Sequence, residues 1–437
     1  MFLSIDDTDS RNGMCTTYLV PLLLERLDLD LIGLPRLVRL NPTVPWKTRG
    51  NGAICLELGK GRGKKIPAAH FKGKEYFAYT DGDDDTGSDL MDSVKELVMQ
   101  HAMLKDDDTN PGIIVHSGPR EDEWYQRTVK GMVDLGDVKM HLDSVGAEYE
   151  GFKNGRGIIG ANGAMNWSPG DYTYELLVYR TPGKIGTERK INTSSVEKME
   201  GRYPSTFNNI DLKNKHLAIE PGSPCPILMG IRGDDQKDLL EAVNIVETGE
   251  PIDGWVLFLT NQATDDHVVP MAIPELKPYT SVLTNGRVVK GPEDIKGGHV
   301  VFSITESGSS TDCMAYEPTK EFRIVVRQLV PGDEVEVQGS VKEMNEGMSI
   351  NLEKLHVVKL QELVDEMNPK CPGCGKSMES AGKDQGYRCR RCSTTAPSKV
   401  QRNESRDLNI GWYEVPVCAR RHLHRPLNRA KKRWQKG

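Results

Sequence analysis

No apolar run in this chain of 437 residues is long enough to cross a bilayer, and no basic n-region or cleavage site precedes the first strand-like segment. These absences argue against a helical membrane protein or a secreted one and lead us to expect a cytoplasmic protein. The motif G-x-x-x-x-G-K-[ST] is also missing, so any phosphate chemistry must be built without a P-loop. Cysteine is too unevenly spaced for a disulfide framework: of nine, four form two C-x-x-C pairs, while Cys15, Cys55, Cys225, Cys313 and Cys418 are scattered. That distribution fits metal binding plus free thiols in a reducing compartment. Positive charge is in deficit overall, with a net charge of −6, but residues 393–437 carry eleven Lys/Arg against three Asp/Glu, a local +8 that leaves −14 on the rest. A basic stretch on an acidic body points to a polyanionic partner, nucleic acid first; the plainer reading is a solvated tail.

What is present is most concentrated at the start. Phe2 to Ile5 reads as a strand, Asp6, Asp7, Thr8 and Asp9 follow at its carboxyl end, and Thr16 and Thr17 open an amphipathic helix running to Arg26. Three carboxylates within four residues form an oxygen-ligand site suited to Mg²⁺. The helix start would turn N–H groups and hydroxyls toward the same point. This is a layout for phosphoryl transfer. Asp and Thr are also ordinary capping residues, but a cap needs one carboxylate, and three neighbouring acids repel one another unless a cation joins them.

Residues 1–133 read as an α/β unit, with strands near 37–40, 53–58 and 112–115 and a helix over 89–103. The acidic segment 80–88 is either a cation site or, the reading we favour, an exposed loop. A second unit over 134–276 has strands at 172–179 and 254–259 and a helix over 236–248, the signature of a compact α+β sandwich. Gly155, Gly157 and Gly160 match G-x-G-x-x-G, but that fingerprint needs a strand immediately before it. The preceding residues 146–154 are polar with no buried-strand pattern, so we expect a chance match. Asn208 and Asp211, together with Arg232, Gly233 and Asp234, offer amides, carboxylates and a guanidinium between glycines, as a ligand pocket would.

From 277 to 362 the pattern becomes five closely spaced strands with a short helix over 320–329 after the third, the order of an OB-fold that reads single-stranded nucleic acid. Tyr316, Phe322, Arg323 and Arg327 are its stacking and cationic candidates, although Phe322 could instead be core. Within 363–400, Cys371, Cys374, Cys389 and Cys392 form two knuckles fourteen residues apart, a four-thiolate set suited to a structural Zn²⁺ in a zinc ribbon. Arg388, Arg390 and Arg391 on the second knuckle suit a phosphate backbone. Residues 401–437 form a basic C-terminal stretch. Nothing points to a membrane or a protein partner.

Ile5 to Ser10 with Gly13 to Thr17, Pro45 to Ala53, Tyr174 to Arg180 and Ala315 to Thr319 together resemble, in order along the whole chain, the archaeal tRNA(Ile)-agmatidine synthetases, which make 2-agmatinylcytidine in isoleucine tRNA. The resemblance implies a kinase-like α/β domain, a ferredoxin-like α+β domain, an OB-fold β-barrel and a zinc ribbon. It implies that ATP drives conjugation of agmatine to C2 of the wobble cytidine in the CAU anticodon, yielding AMP and pyrophosphate, so that the tRNA reads A rather than G. By position, Asp6, Asp7 and Asp9 would hold Mg²⁺ and the triphosphate, and Thr16 would be the phosphorylated threonine. Thr8, Thr17, Lys47, Arg49, Gly50, Asn51 and Gly52 would contact ATP, and Asp211 or Asp234 would face the agmatine cation. The basic stretch after Asn403 departs from what we expect of the family. Two rivals stay open: an RNA kinase or nucleotidyltransferase acting without agmatine, and a non-enzymatic OB-fold protein binding single strands, which would leave the Asp/Thr cluster unexplained.

Overall fold

In the computed structural model the described residues are 1–48, 50–83, 90–345 and 347–434, without the side chains of 404 and 431–434. Arg49 and most of the acidic segment 80–88 therefore lie outside them. Among the described residues no helix is long and apolar enough to cross a membrane.

The strand Phe2–Asp6 sits inside a ten-stranded sheet, flanked by antiparallel Gly52–Phe71 and Gly112–His116. Its alternation sets the layers: Leu3 and Ile5 join a core with the helices Leu19–Arg26 and Leu90–His101, while Ser4 faces the other side and donates to the carbonyl of Ala161 at 2.7 Å. On that other side lie the helices Asp122–Lys130, Leu135–Ser144 and Gly157–Met165. Each fully buried Leu or Ile of these clusters contributes roughly 1.5–3 kcal/mol of apolar burial. The sheet continues through Arg36–Arg39 into Ile252–Thr260, Thr173–Arg180 and Ile227–Gly233, so one sheet runs across the boundary expected at 133/134. The helices Thr193–Arg202 and Gln236–Ala242 cover its far end. Arg180 is wholly buried and clasped by Glu250 at 2.6 and 2.7 Å, a structural ion pair.

Ser281–Ile295, His299–Glu306, Ser309–Ala315, Glu334–Met344 and Gly347–Lys359 close a five-stranded barrel, with the helix Phe322–Val326 between the third and fourth. The chain then leaves along Leu363–Met367, forms the three-stranded ribbon, and returns along Val400–Glu404 as the second strand of a stalk. The basic stretch is not a free tail. Arg406 clamps Asp333 with two bonds of 2.7 and 2.8 Å, Gly411–Glu414 pairs with the barrel strand Gly347–Lys359, and the following residues return to the ten-stranded sheet.

Candidate active site

Because Ile5 is buried and the helix Gly157–Met165 blocks the way ahead, the chain must turn sharply after Asp6. Asp7 turns it with φ of 58°, a left-handed conformation that Asp tolerates better than most residues. The Asp7 carboxylate accepts from the Asn110 N–H at 3.2 Å and from Arg156 at 3.4 Å; Asp9 accepts from the Thr48 hydroxyl at 3.2 Å. Burial, then the charge of Asp7, pushes the Asp6 carboxyl well above the carboxylate range. Asp7 is raised to about 7 by burial and the charge of Asp9 against the pull of Arg156. Thr16 and Thr17 open a 3-10 turn, nearly buried, and Thr16 accepts from the Thr8 hydroxyl at 3.1 Å.

The glycines at 157 and 160 line this cavity, although nothing here makes the pattern at 155–160 a dinucleotide fingerprint. A strand, Glu148–Gly151, does precede it; as the polar edge of the sheet it shows no buried alternation. A Cβ on Gly157 would lie 2.8 Å from the Asp6 carbonyl and one on Gly160 1.8 Å from Asp6 Oδ2, so both positions must be glycine-like for the helix to abut the acids. Arg156, Gly157 and Gly160 line the candidate site without having been marked for it by the sequence.

These groups line a cavity of about 590 Å³. Its far wall is a buried triad in which Glu175 takes Arg39 at 2.8 Å and Arg232 at 3.1 Å; the two guanidinium groups outweigh burial and keep Glu175 ionised. Lys47, Gly50, Asn51 and Gly52 form another side, with Asn51 (φ 45°) donating to the Asn41 carbonyl at 2.7 Å and Lys47 to that of Pro42. The last wall is the returning segment around Cys418, Arg420, Arg421 and His422, part of the basic stretch that the sequence marked for a polyanion but not for this cavity. Its backbone pairs with Ala263 and Asp265, Arg420 donates to Asn208 Oδ1 at 2.7 Å, and the Cys418 N–H donates to Asp211 at 3.1 Å.

Of the expected pocket residues, Asn208 and Arg232 reach the cavity, but Asp211, Gly233 and Asp234 are not among its lining. Asp211 is occupied by Asn214 and Cys418, and Asp234 by Arg429 at 2.7 Å, so neither carboxylate points a free charge inward. Thr8 is fully buried behind the cavity.

Family models match consecutive parts of the chain: the TiaS TCKD domain over residues 2–154, the TiaS FLD domain over 155–267 and the TiaS C-terminal zinc ribbon domain over 368–408. TiaS of Archaeoglobus fulgidus, a 2-agmatinylcytidine synthetase of isoleucine-2 tRNA, is 41% identical, covering 98% of this chain and 97% of its own. The chain belongs to the TiaS family. Two solved TiaS structures share its fold: the complex of TiaS with isoleucine-2 tRNA and ATP has 40% identity and a TM-score of 0.83, covering 98% of this chain and 97% of that one. The complex of TiaS with the same tRNA, AMPCPP and agmatine has 39% identity and a TM-score of 0.81, covering 98% and 96%.

The TiaS zinc ribbon here gathers Cys371, Cys374, Cys389 and Cys392 with all four sulfur atoms within 4.8 Å of one another. A tetrahedral Zn²⁺ with Zn–S bonds of about 2.3 Å places its sulfurs roughly 3.8 Å apart, so the set fits that ion with modest closure. The knuckle Arg388, Arg390 and Arg391 side chains are exposed, Arg390 pairing with Glu379 at 2.5 Å. On the barrel, Phe322 is 1% exposed and packs in the core, because the short helix turns it inward; it is not a stacking platform. Tyr316 is half-buried against His299, Arg323 is tied to the Gly298 carbonyl, and Arg327 grips Asp294 at 2.6 Å.

Proposed function

We propose that this chain is the enzyme that uses ATP to join agmatine to the wobble cytidine of the isoleucine tRNA bearing a CAU anticodon, making 2-agmatinylcytidine. The observation that carries the reading is likeness over 98% of the chain to TiaS solved with isoleucine-2 tRNA, an ATP analogue and agmatine. The cavity has the chemistry for it. Transfer of one outer phosphate of ATP to the cytosine C2 oxygen turns a poor leaving group into phosphate, which the agmatine amine then displaces; water cleaves the other outer phosphate from AMP, so one ATP gives AMP and two phosphates in place of intact pyrophosphate.

Asp6, Asp7 and Asp9 would hold Mg²⁺ and through it the triphosphate. Two carboxyls raised by burial and repulsion are a set that a divalent cation relieves. Thr16 is the family's phosphorylated threonine, and its hydroxyl lies beside that cluster. Lys47 and the backbone of Gly50 to Gly52 contact ATP phosphates. The kinase-like division of residues 1–133 and the ferredoxin-like division of 134–276 share the one sheet and so the one cavity. The barrel and the ribbon hold the RNA, and the ribbon's Zn²⁺ is structural.

Incubation with ATP, labelled agmatine and transcripts carrying CAU or altered anticodons tests the reading. Label is expected in the CAU transcript and at least about tenfold less in the others, a discrimination of ~1.4 kcal/mol. An unlabelled CAU transcript overturns it.

A further inference from the structure

Beside the main cavity lies a second chamber of about 300 Å³, sharing with it Arg39, Lys47, Gly50, Arg421 and His422. Three of its described lining residues are cations and none is a carboxylate. Two guanidinium N–H groups at this place, Arg39 Nε and Arg421 Nη1, are buried without an acceptor, although Arg39 Nη2 bonds Glu175, Arg421 Nε faces Glu353 and Arg421 Nη2 donates to Ser340. A buried donor left unpaired costs on the order of 1–3 kcal/mol, so two in one chamber mark a place shaped for an acceptor. The charge balance agrees. Burial, and then Arg421 and Lys342, lower Lys47 to about 8, the response of an ammonium crowded by cations. A Cβ on Gly50 would lie 2.9 Å from His422 Nε2 and 3.1 Å from Arg39 Nη1, so a side chain there would press on the ends of both groups.

The ligand class is a phosphate, which could come from ATP or from RNA. The fold favours RNA. The carboxylates suited to a metal-bound triphosphate line the main cavity and not the chamber. The chamber's cations come from separate places: Arg39 from the strand Arg36–Arg39, Lys47 from a loop of the ten-stranded sheet and Arg421 from the segment that returns after the ribbon, while Lys342 of the barrel strand Glu334–Met344 lies outside the lining but acts on the charge of Lys47. Barrel and sheet meet here, with Asn41 donating to the Tyr279 carbonyl at 3.0 Å. A nucleotide drawn from an RNA loop into the main cavity must bring its flanking phosphates past this junction.

We propose that the chamber holds a backbone phosphate adjoining the wobble nucleotide, gripped by Arg39 Nε and Arg421 Nη1, so that the returning segment seats the target base. The inference rests on the proposed tRNA substrate. Arg421→Gln should weaken binding of the CAU transcript about tenfold and lower the slope of log affinity against log salt by about 0.7, a larger loss than any in ATP affinity measured without RNA; Arg421→Lys should recover part of the loss. Because Arg421→Gln also strips a partner from the buried Glu353, a second measurement leaves the protein intact: transcripts with one neutral methylphosphonate, 5′ or 3′ of the wobble nucleotide. One of the two linkages should cost the wild-type protein about the same factor and cost Arg421→Gln nothing more. Two outcomes overturn the proposal: loss of ATP affinity with RNA binding intact, or full additivity at both linkages. Agmatine incorporation by the wild-type protein is scored separately, so failure of the substrate reading is told apart from failure of the chamber.

Discussion

Gly160 sets the distance between a helix and the acid it abuts. Adding one methyl there drives Asp6 aside or tilts the helix, whereas at Gly163 the added Cβ would meet the Thr128 side chain at 2.9 Å, away from the acids. Overpacking of either kind costs about 1–3 kcal/mol. Gly160→Ala should therefore lose that stability and at least about tenfold in turnover, and Gly163→Ala the stability alone, as read by urea melts and agmatine incorporation. Full activity in Gly160→Ala would remove Asp6 from the site. Single residues were legible where their company is local: Asp6, Asp7, Asp9, Thr16 and Thr17 all face one cavity, as the turn after the first strand suggested. Asp234 was misjudged because its partner, Arg429, arrives 195 residues later, and no local pattern announces it.

Among elements, the barrel was the most readable. Val335 and Val337 are buried between Glu334 and Glu336, the plain alternation of a strand with one face in a core. The alternation of the strand Gly52–Phe71 is legible only to about 58, because Lys60, Arg62, Lys64 and Lys65 and their intervening glycines erase the pattern where the strand is exposed on both faces. The helix Gly157–Met165 was overlooked for the opposite reason: buried nearly all round, it has no polar face to give it a period. The ribbon is a separable element, joined through the two-stranded stalk Leu363–Met367 with Val400–Glu404. Cys389→Ser should release one equivalent of zinc and unfold the ribbon while the main thermal transition moves by only a few degrees. Elemental analysis and calorimetry decide this; retained zinc would contradict the four-thiolate site.

At the scale of the molecule, sheet and barrel are joined by a buried polar seam. Asp265 takes Lys354, Glu353 faces Arg421 at 3.2 Å, and His267 and His424 stand within about 4 Å of the Glu353 carboxylate. Burial, opposed in part by Glu353, holds the wholly buried His267 down to about 4. Arg421 and the histidines outweigh burial and hold Glu353 at about 2. Both groups bind protons more weakly folded than unfolded, so stability rises with pH in their windows and is lost as pH falls. His267 acts between its ordinary value of 6.5 and about 4, where it is worth ~3 kcal/mol. Glu353 acts between 4.5 and about 2. Melting temperature should fall steadily from pH 6.5 to 4, and His267→Asn should flatten that stretch; an unchanged slope in the variant would place the acid sensitivity elsewhere.

The wall contributed by the returning segment also fixes when the site can exist. All ten strands of the large sheet have been made once residue 260 is synthesised, yet the cavity lacks one side until Cys418 to His422 follow, and Arg429 must still tie that segment to Asp171 and Asp234. At about 5–20 residues per second, that interval lasts roughly ten to thirty seconds on the ribosome. A nascent chain in that interval can hold a folded sheet and barrel and still present an open cavity. Competence to modify tRNA thus waits on translation through residue 429, and a stalled chain remains inactive however well its earlier parts have folded.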